Sequence, residues 1–123
     1  VVKIKKISII LVILVIMILS FGIFIQFKKH QASDDVMYYL TEIRGYDESE
    51  IKTLESKWAF GGLPNYYVEV TFQNEPNIVY LYLAHHLIGQ FEYYDMNGET
   101  IPIKDLKNYD PTTIENEKTI FIN

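Results

Sequence analysis

Histidine is the side chain best suited to metal binding and to proton transfer near neutral pH, and two of the three histidines in this chain are adjacent, His85 and His86. Neighbours on a strand point to opposite faces, so the pair cannot chelate one metal together there. At a strand end the rings can converge, but no carboxylate stands at a ligand spacing, and the pair reads as turn or edge histidines. His30 follows two lysines and reads as a solvated flank. The serines offer no nucleophile: Ser33 fits a helix cap, Ser49 a turn and Ser56 the alternation of a strand, and none sits in a Gly-x-Ser-x-Gly elbow. Paired carboxylates, Asp34/Asp35 and Glu48/Glu50, fall at a helix start and in a turn. Gly61-Gly62 lacks the Lys-Ser/Thr of a phosphate loop. With no cysteine in the chain, a disulfide framework, a thiolate zinc site, a Cys nucleophile and a lipidated Cys are excluded. These residues predict no catalytic constellation, no metal and no cofactor, hence a protein that is not an enzyme.

Aromatic side chains are the stronger signal. Of ten tyrosines, Tyr66, Tyr67, Tyr80, Tyr82, Tyr93 and Tyr94 fall on predicted strands. Alternation distributes them over both faces of a sheet, some filling the core and some left outward. Trp58, Tyr67, Tyr80 and Tyr82 are the expected contact residues for a partner, set against a purely structural role as cross-strand aromatic pairs.

The elements that must position them begin after an apolar run. Ile7 to Phe27 carries no charge, and only Ser8, Ser20, Gly22 and Gln26 in it are not strongly apolar. As a helix it is about 31 Å long at ~1.5 Å per residue, enough to span a hydrocarbon core of ~30 Å. It is longer than a signal-peptide core and no small-x-small cleavage site follows, so a permanent anchor is expected. Lys3, Lys5 and Lys6 precede the run and Lys28 and Lys29 follow it. A short basic leader before a first span places the N-terminus in the cytoplasm and the remainder outside. Residues 30–123 hold all 16 carboxylates and 6 of the 11 cationic side chains, a net charge of −10. That charge disfavours nucleic acid and anionic lipid surfaces as partners of the outer domain, and tolerates cationic ones such as basic peptides or loosely held divalent cations.

Ser33-Asp34-Asp35 reads as a helix start, and Val36, Tyr39, Leu40 and Ile43 give one apolar face of a short helix over 34–44, stopped by Gly45. Leu54, Ser56, Trp58 and Phe60 then alternate with Thr53, Glu55, Lys57 and Ala59 as a first strand. Gly61 to Asn65 is a turn, and Tyr66, Val68, Val70 and Phe72 form the inner face of a second strand. Asn74 to Asn77 is a turn, Ile78 to Leu83 a third strand, residues 87–94 a fourth, and Asp95-Met96-Asn97-Gly98 a turn with an Asn-Gly signature. Asn108 to Glu117 reads as polar loop, and Thr119 to Ile122 as an edge strand or a loose end. The fold class is α+β: a transmembrane helix, then a short amphipathic helix packed on a four-stranded antiparallel meander. The domain organisation is a leader and anchor over 1–29 and an extracytoplasmic domain over 30–123, ordered at about 34–103 with a tail over 104–123.

The order of basic leader, span, Arg44-Gly45-Tyr46, Ile51, Lys57, the run Tyr67-Val68-Glu69-Val70-Thr71-Phe72-Gln73-Asn74-Glu75-Pro76 and then Tyr80-Leu81-Tyr82 resembles the domain-of-unknown-function family 3139, small membrane-anchored proteins of Gram-positive bacteria such as bacilli. The resemblance covers roughly residues 1–95 and implies no activity, so it carries over no catalytic residue. The helix-then-meander order is also similar to extracytoplasmic PepSY modules, which implies a regulatory role by analogy of fold alone. The expectation is a single-pass membrane protein whose outer domain binds or regulates another envelope protein. The alternative is a ligand-binding protein that takes cell-wall glycan or peptide on a tyrosine-rich face.

Overall fold

The computed structural model describes residues 2–58 and 66–116, with side chains from residue 5 onward. Helix α1, Val2–Tyr38, is continuous. Its apolar run is exposed but for the partly buried Ile25, and it is the one helix among the described residues long and apolar enough to cross a membrane. The separate helix expected over 34–44 is instead the last turns of α1 followed by a π-helical turn, Tyr39–Ile43. Ser33 caps nothing, because no Gly or Pro interrupts the chain between Ile23 and Arg44 and propagation is favourable once a helix exists. Its hydroxyl bonds that of Ser56 instead, and Asp34 meets His30 one turn back at 3.3 Å. In the π turn, Arg44 N donates to Tyr39 O at 3.0 Å. This widening rotates Ile43 outward, so it is exposed while Val36, Tyr39 and Leu40 are buried. Gly45 then adopts φ 81° and ends the helix, as expected.

Five antiparallel strands follow in sequence order across one sheet: β1, Ile51–Trp58; β2, Tyr66–Phe72; β3, Glu75–Ala84; β4, Leu87–Asp95; and β5, Thr113–Glu115. The meander has one strand more than the four expected. Strand β5 lies within the segment read as polar loop, and three residues are too few to show alternation. It pairs Leu87 with Glu115, Ile88 with Ile114 and Gly89 with Thr113. The β2–β3 turn is Gln73-Asn74, tighter than the four residues expected. Glu75 already faces Phe72, and Pro76 sits near the strand start, where a missing N–H costs least. The Asn-Gly pair ends β4 without joining two strands: Gly98 takes φ 78°, and the chain continues through a 3-10 turn at Ile103–Asp105. Ala59 to Asn65, including Phe60 and the Gly-Gly turn, and Thr119 to Ile122 lie outside the described residues.

One face of the sheet is covered. The end of α1 and the π turn after it lay Ala32, Val36, Tyr39 and Leu40 on Val68, Val70, Phe72, Tyr80, Tyr82 and Ile88. Each large apolar side chain so buried contributes roughly 1.5–3 kcal/mol. Tyr46 stacks on Phe72, ring centroids 4.8 Å apart, and Ile101 and Leu106 close the far side. The other face, with Tyr67, Glu69, Leu81, Leu83 and Tyr94, has no layer over it among the described residues.

Candidate functional site

The four expected contact residues do not come together. Tyr80 and Tyr82 pair across β2 with Val70 and Val68 and share their covered face, so both are fully buried and out of a partner's reach. This corrects their assignment as contacts. The alternation of Val68, Val70 and Phe72 already marks that face as inward, and antiparallel pairing carries Tyr80 and Tyr82 onto it. Tyr67 has the opposite parity and lies on the open face. Trp58, at the end of β1, meets Phe21 of α1 edge-on, with ring centroids 6.2 Å apart.

The open face is a set of cross-strand rows. One runs Lys57, Tyr67, Leu83, Gly89. The next runs Glu55, Glu69, Leu81, Glu92, which sets the carboxylates of Glu69 and Glu92 on either side of the buried Leu81, with Glu55 one strand further out. Tyr94 faces Val79, and the ring of Phe91, at a bulge opposite Leu81/Tyr82, stands perpendicular to that of Tyr67 with centroids 6.4 Å apart. Burial, then the Glu69 carboxylate and the Tyr67 phenol, raises the Tyr94 phenol above its ordinary pKa, and Lys57 opposes the shift. Lys57 is itself held charged by its 3.1 Å hydrogen bond to Glu55. The result is an aromatic and apolar centre, Tyr67, Leu83, Phe91 and Tyr94, edged by acids. Of these, sequence reasoning singled out Tyr67 alone. The parity of Glu69, Tyr67 and Tyr94 was readable, but the bulge that admits Phe91 to this face was not.

Under the covered face lies a hydrogen-bonded polar network that sequence reasoning missed. The Tyr39 hydroxyl donates to Asp110 Oδ2 at 2.5 Å, and Arg44 Nε reaches the same oxygen at 3.2 Å. Gln90 donates to Tyr82 Oη and to the Asn108 carbonyl, and accepts from the Asp110 N–H. Asn108 Nδ2 donates to Asn74 Oδ1 at 2.8 Å and to Glu75 Oε1 at 3.0 Å; the Tyr80 hydroxyl donates to the same Glu75 oxygen. Desolvation, joined by the Asp110 and Glu75 carboxylates, pushes the Tyr39 and Tyr80 phenols far above their ordinary pKa; burial does the same to Tyr82. No buried side-chain N or O among the described residues lacks a partner. Every polar group here is spent on another, so the network holds residues 101–116 against the sheet.

The histidine pair forms the β3–β4 turn, with ring centroids 4.2 Å apart. Burial, His86 and Lys28 all hold the His85 imidazole below its usual pKa. Among the described residues no three His, Asp or Glu side chains converge as metal ligands. A cleft of about 350 Å3 runs beside α1 and β5, lined by Asp35, Tyr38, Ile43, Ile88, Ile114 and Asn116. Its polar wall is Asn116 donating to Asp35 at 3.0 Å.

No curated protein and no solved structure matches the chain. A family match does: it spans α1, β1, β2 and β3 as far as Tyr82, and β4 and β5 lie beyond it. The matching family is described as "Protein of unknown function (DUF3139)", the match runs over residues 3–82, more than half of the chain, and the chain belongs to that family.

Proposed function

We propose that this is a non-catalytic, single-pass protein of a Gram-positive cell membrane, held by an uncleaved signal-anchor with its N-terminus in the cytoplasm, and that its outer domain binds a neighbouring envelope protein through the open sheet face. The observation that carries this reading is the two-sidedness of the sheet. One face is sealed by α1 and the network, while the other leaves Tyr94 45% exposed and Tyr67, Leu83 and Phe91 half-buried, with no layer over them among the described residues. Aromatic rings at the centre of a patch, with charges at its edge, are the composition of a protein contact. Glu55, Glu69 and Glu92 around the rings favour a partner segment that presents Lys or Arg, through carboxylate pairing and cation–π contact.

The test is crosslinking in cells of the tagged, anchored protein, followed by capture and mass spectrometry, in the natural sequence and in a Tyr67→Ala/Tyr94→Ala variant. Circular dichroism of both proteins in detergent checks that the fold is kept. One dominant envelope protein, lost in the folded variant, is the expected result. A crosslink that survives the double substitution would remove the open face from consideration. Recovery of wall glycan or peptide in place of a protein would transfer the face to ligand binding.

A further inference from the structure

The contact between α1 and the sheet does not stop where the apolar run stops. The run ends at Phe27, and Lys28 and Lys29 follow. Beyond them Ala32, Val36, Tyr39 and Leu40 pack on the sheet. Yet the Ser56 hydroxyl donates to the Lys29 carbonyl, and two residues further along β1 the Trp58 indole meets Phe21. Phe21 lies six residues before Phe27, about 9 Å back along the helix axis at ~1.5 Å per residue. The end of β1 therefore reaches past the lysines, alongside the apolar run. The start of β2 shares this end, since Tyr66 pairs with Trp58. So does the β3–β4 turn, where the Lys28 charge acts on His85 and Leu87 is 43% exposed.

The two ends of the sheet differ in chemistry. The end beside Lys28 carries Trp58, Tyr66, His85, His86 and Leu87, and among the described residues the carboxylate paired at this end is Glu115, opposite Leu87. At the other end β1 begins just after Asp47, Glu48 and Glu50, β3 begins at Glu75 and β4 ends at Asp95. Tryptophan and tyrosine, with an apolar body and a polar edge, collect where a bilayer's hydrocarbon meets its headgroups, and lysines beside a span meet lipid phosphates.

We infer that the Trp58–Tyr66–Leu87 end of the sheet is a membrane seat, set between the phosphates and the upper acyl chains of the bilayer that α1 crosses, with Lys28 and Lys29 at the phosphates. The seat rests on α1 spanning the bilayer. It fixes the height of the domain: the open face stands edge-on to the membrane, its first row at lipid level.

Trp58 is the single tryptophan of the chain, so the full-length protein carries its own probe. The protein is reconstituted in vesicles of phosphatidylglycerol and phosphatidylcholine whose acyl chains are brominated either near the glycerol or near the methyl end. A comparison protein, Trp58→Phe/Met96→Trp, moves the probe to an exposed position at the far end of β4. The expected result is loss of Trp58 emission to bromines near the glycerol, less loss to bromines at the methyl end and little to aqueous iodide. At position 96, iodide quenches and bromolipid does not. Trp58 emission quenched by iodide and untouched by either bromolipid, in protein that resists carbonate extraction, overturns the seat and leaves the span standing. Protein extracted by carbonate overturns the span, and the seat with it.

Discussion

Tyr39, Tyr80 and Tyr82 are phenols that the fold keeps protonated. Each is fully buried; Tyr39 and Tyr80 donate to carboxylates, and Tyr82 accepts from Gln90. Ionising any of them in place puts a phenolate in a dry site, for Tyr39 and Tyr80 against a carboxylate, and all three are raised above the ordinary value of 10.0. The sign for stability follows. Below that ordinary value both the folded and the unfolded chain are protonated and the contribution is complete. Above it the unfolded chain ionises first, and stability is lost progressively as pH rises. Thermal unfolding in detergent is expected to hold steady between about pH 8 and 9 and to fall steeply beyond about pH 10. Tyr82→Phe, which loses the ionisable group and one neutral hydrogen bond, should flatten that fall at a cost of about 1 kcal/mol at neutral pH. An unchanged slope would show that Tyr82 is not held neutral by the fold.

Among the elements, β5 lies closest against its neighbour at Gly89 of β4. A Cβ on Gly89 would lie 2.5 Å from Thr113 Cγ2, 2.8 Å from the Thr112 carbonyl oxygen and 2.9 Å from Thr113 Cα. Backbone cannot swing aside as a side chain can, so Gly89→Ala is expected to displace β5 and cost about 1–3 kcal/mol. Hydrogen exchange would show it as faster exchange of the Asn116 amide, which donates to the His86 carbonyl at 2.8 Å. Retained protection of that amide would count against it. The same element shows why the fold was only partly legible. Strands β2, β3 and β4 are long enough to alternate, and their inner faces could be read from Val68, Val70 and Phe72 onward. Strand β5 is three residues long and is held by pairing with distant residues, which leaves no local pattern. The helix end misled for a related reason. Ser33-Asp34-Asp35 has the chemistry of a cap, but a preceding helix that is already running needs no new start. The site was legible by parity for Tyr67 and hidden for Asn108 and Asp110, whose distant partners lie in the β2–β3 turn, on β3 and β4 and at the helix end.

At the scale of the whole molecule, that polar network joins the last described segment to α1. Asp110 is its pivot: the carboxylate takes the Tyr39 hydroxyl, the Arg44 guanidinium and the Thr112 N–H. Arg44 is partly exposed, so its share is discounted, and the loss on Asp110→Ala should be about 2–3 kcal/mol. Limited proteolysis should cut within 101–116 well before strands β1 to β4 are lost. Simultaneous loss of strap and sheet would mean that the two melt as one unit. Asp110→Asn keeps two of the acceptor sites and should lie between the natural protein and the alanine variant.

The unbroken run of α1 into the sheet-packed turns has one more consequence, and it concerns direction about the helix axis. At 100° per residue, Phe21, Ile25, Lys28, Ala32 and Val36 form one stripe toward the sheet, and Ile23, Phe27, His30 and Asp34 form the stripe opposite. With no hinge between them, the azimuth of the apolar rod is keyed to the azimuth of the sheet. A second helix lying along Ile23 and Phe27 has open access and meets no strand. One approaching along Phe21 must slide beneath Trp58. Among the described residues, the end of the rod near Phe21 is therefore obstructed on the Trp58 side and open on the Ile23–Phe27 side, and which side is open is set by the register in which β1 lies on α1.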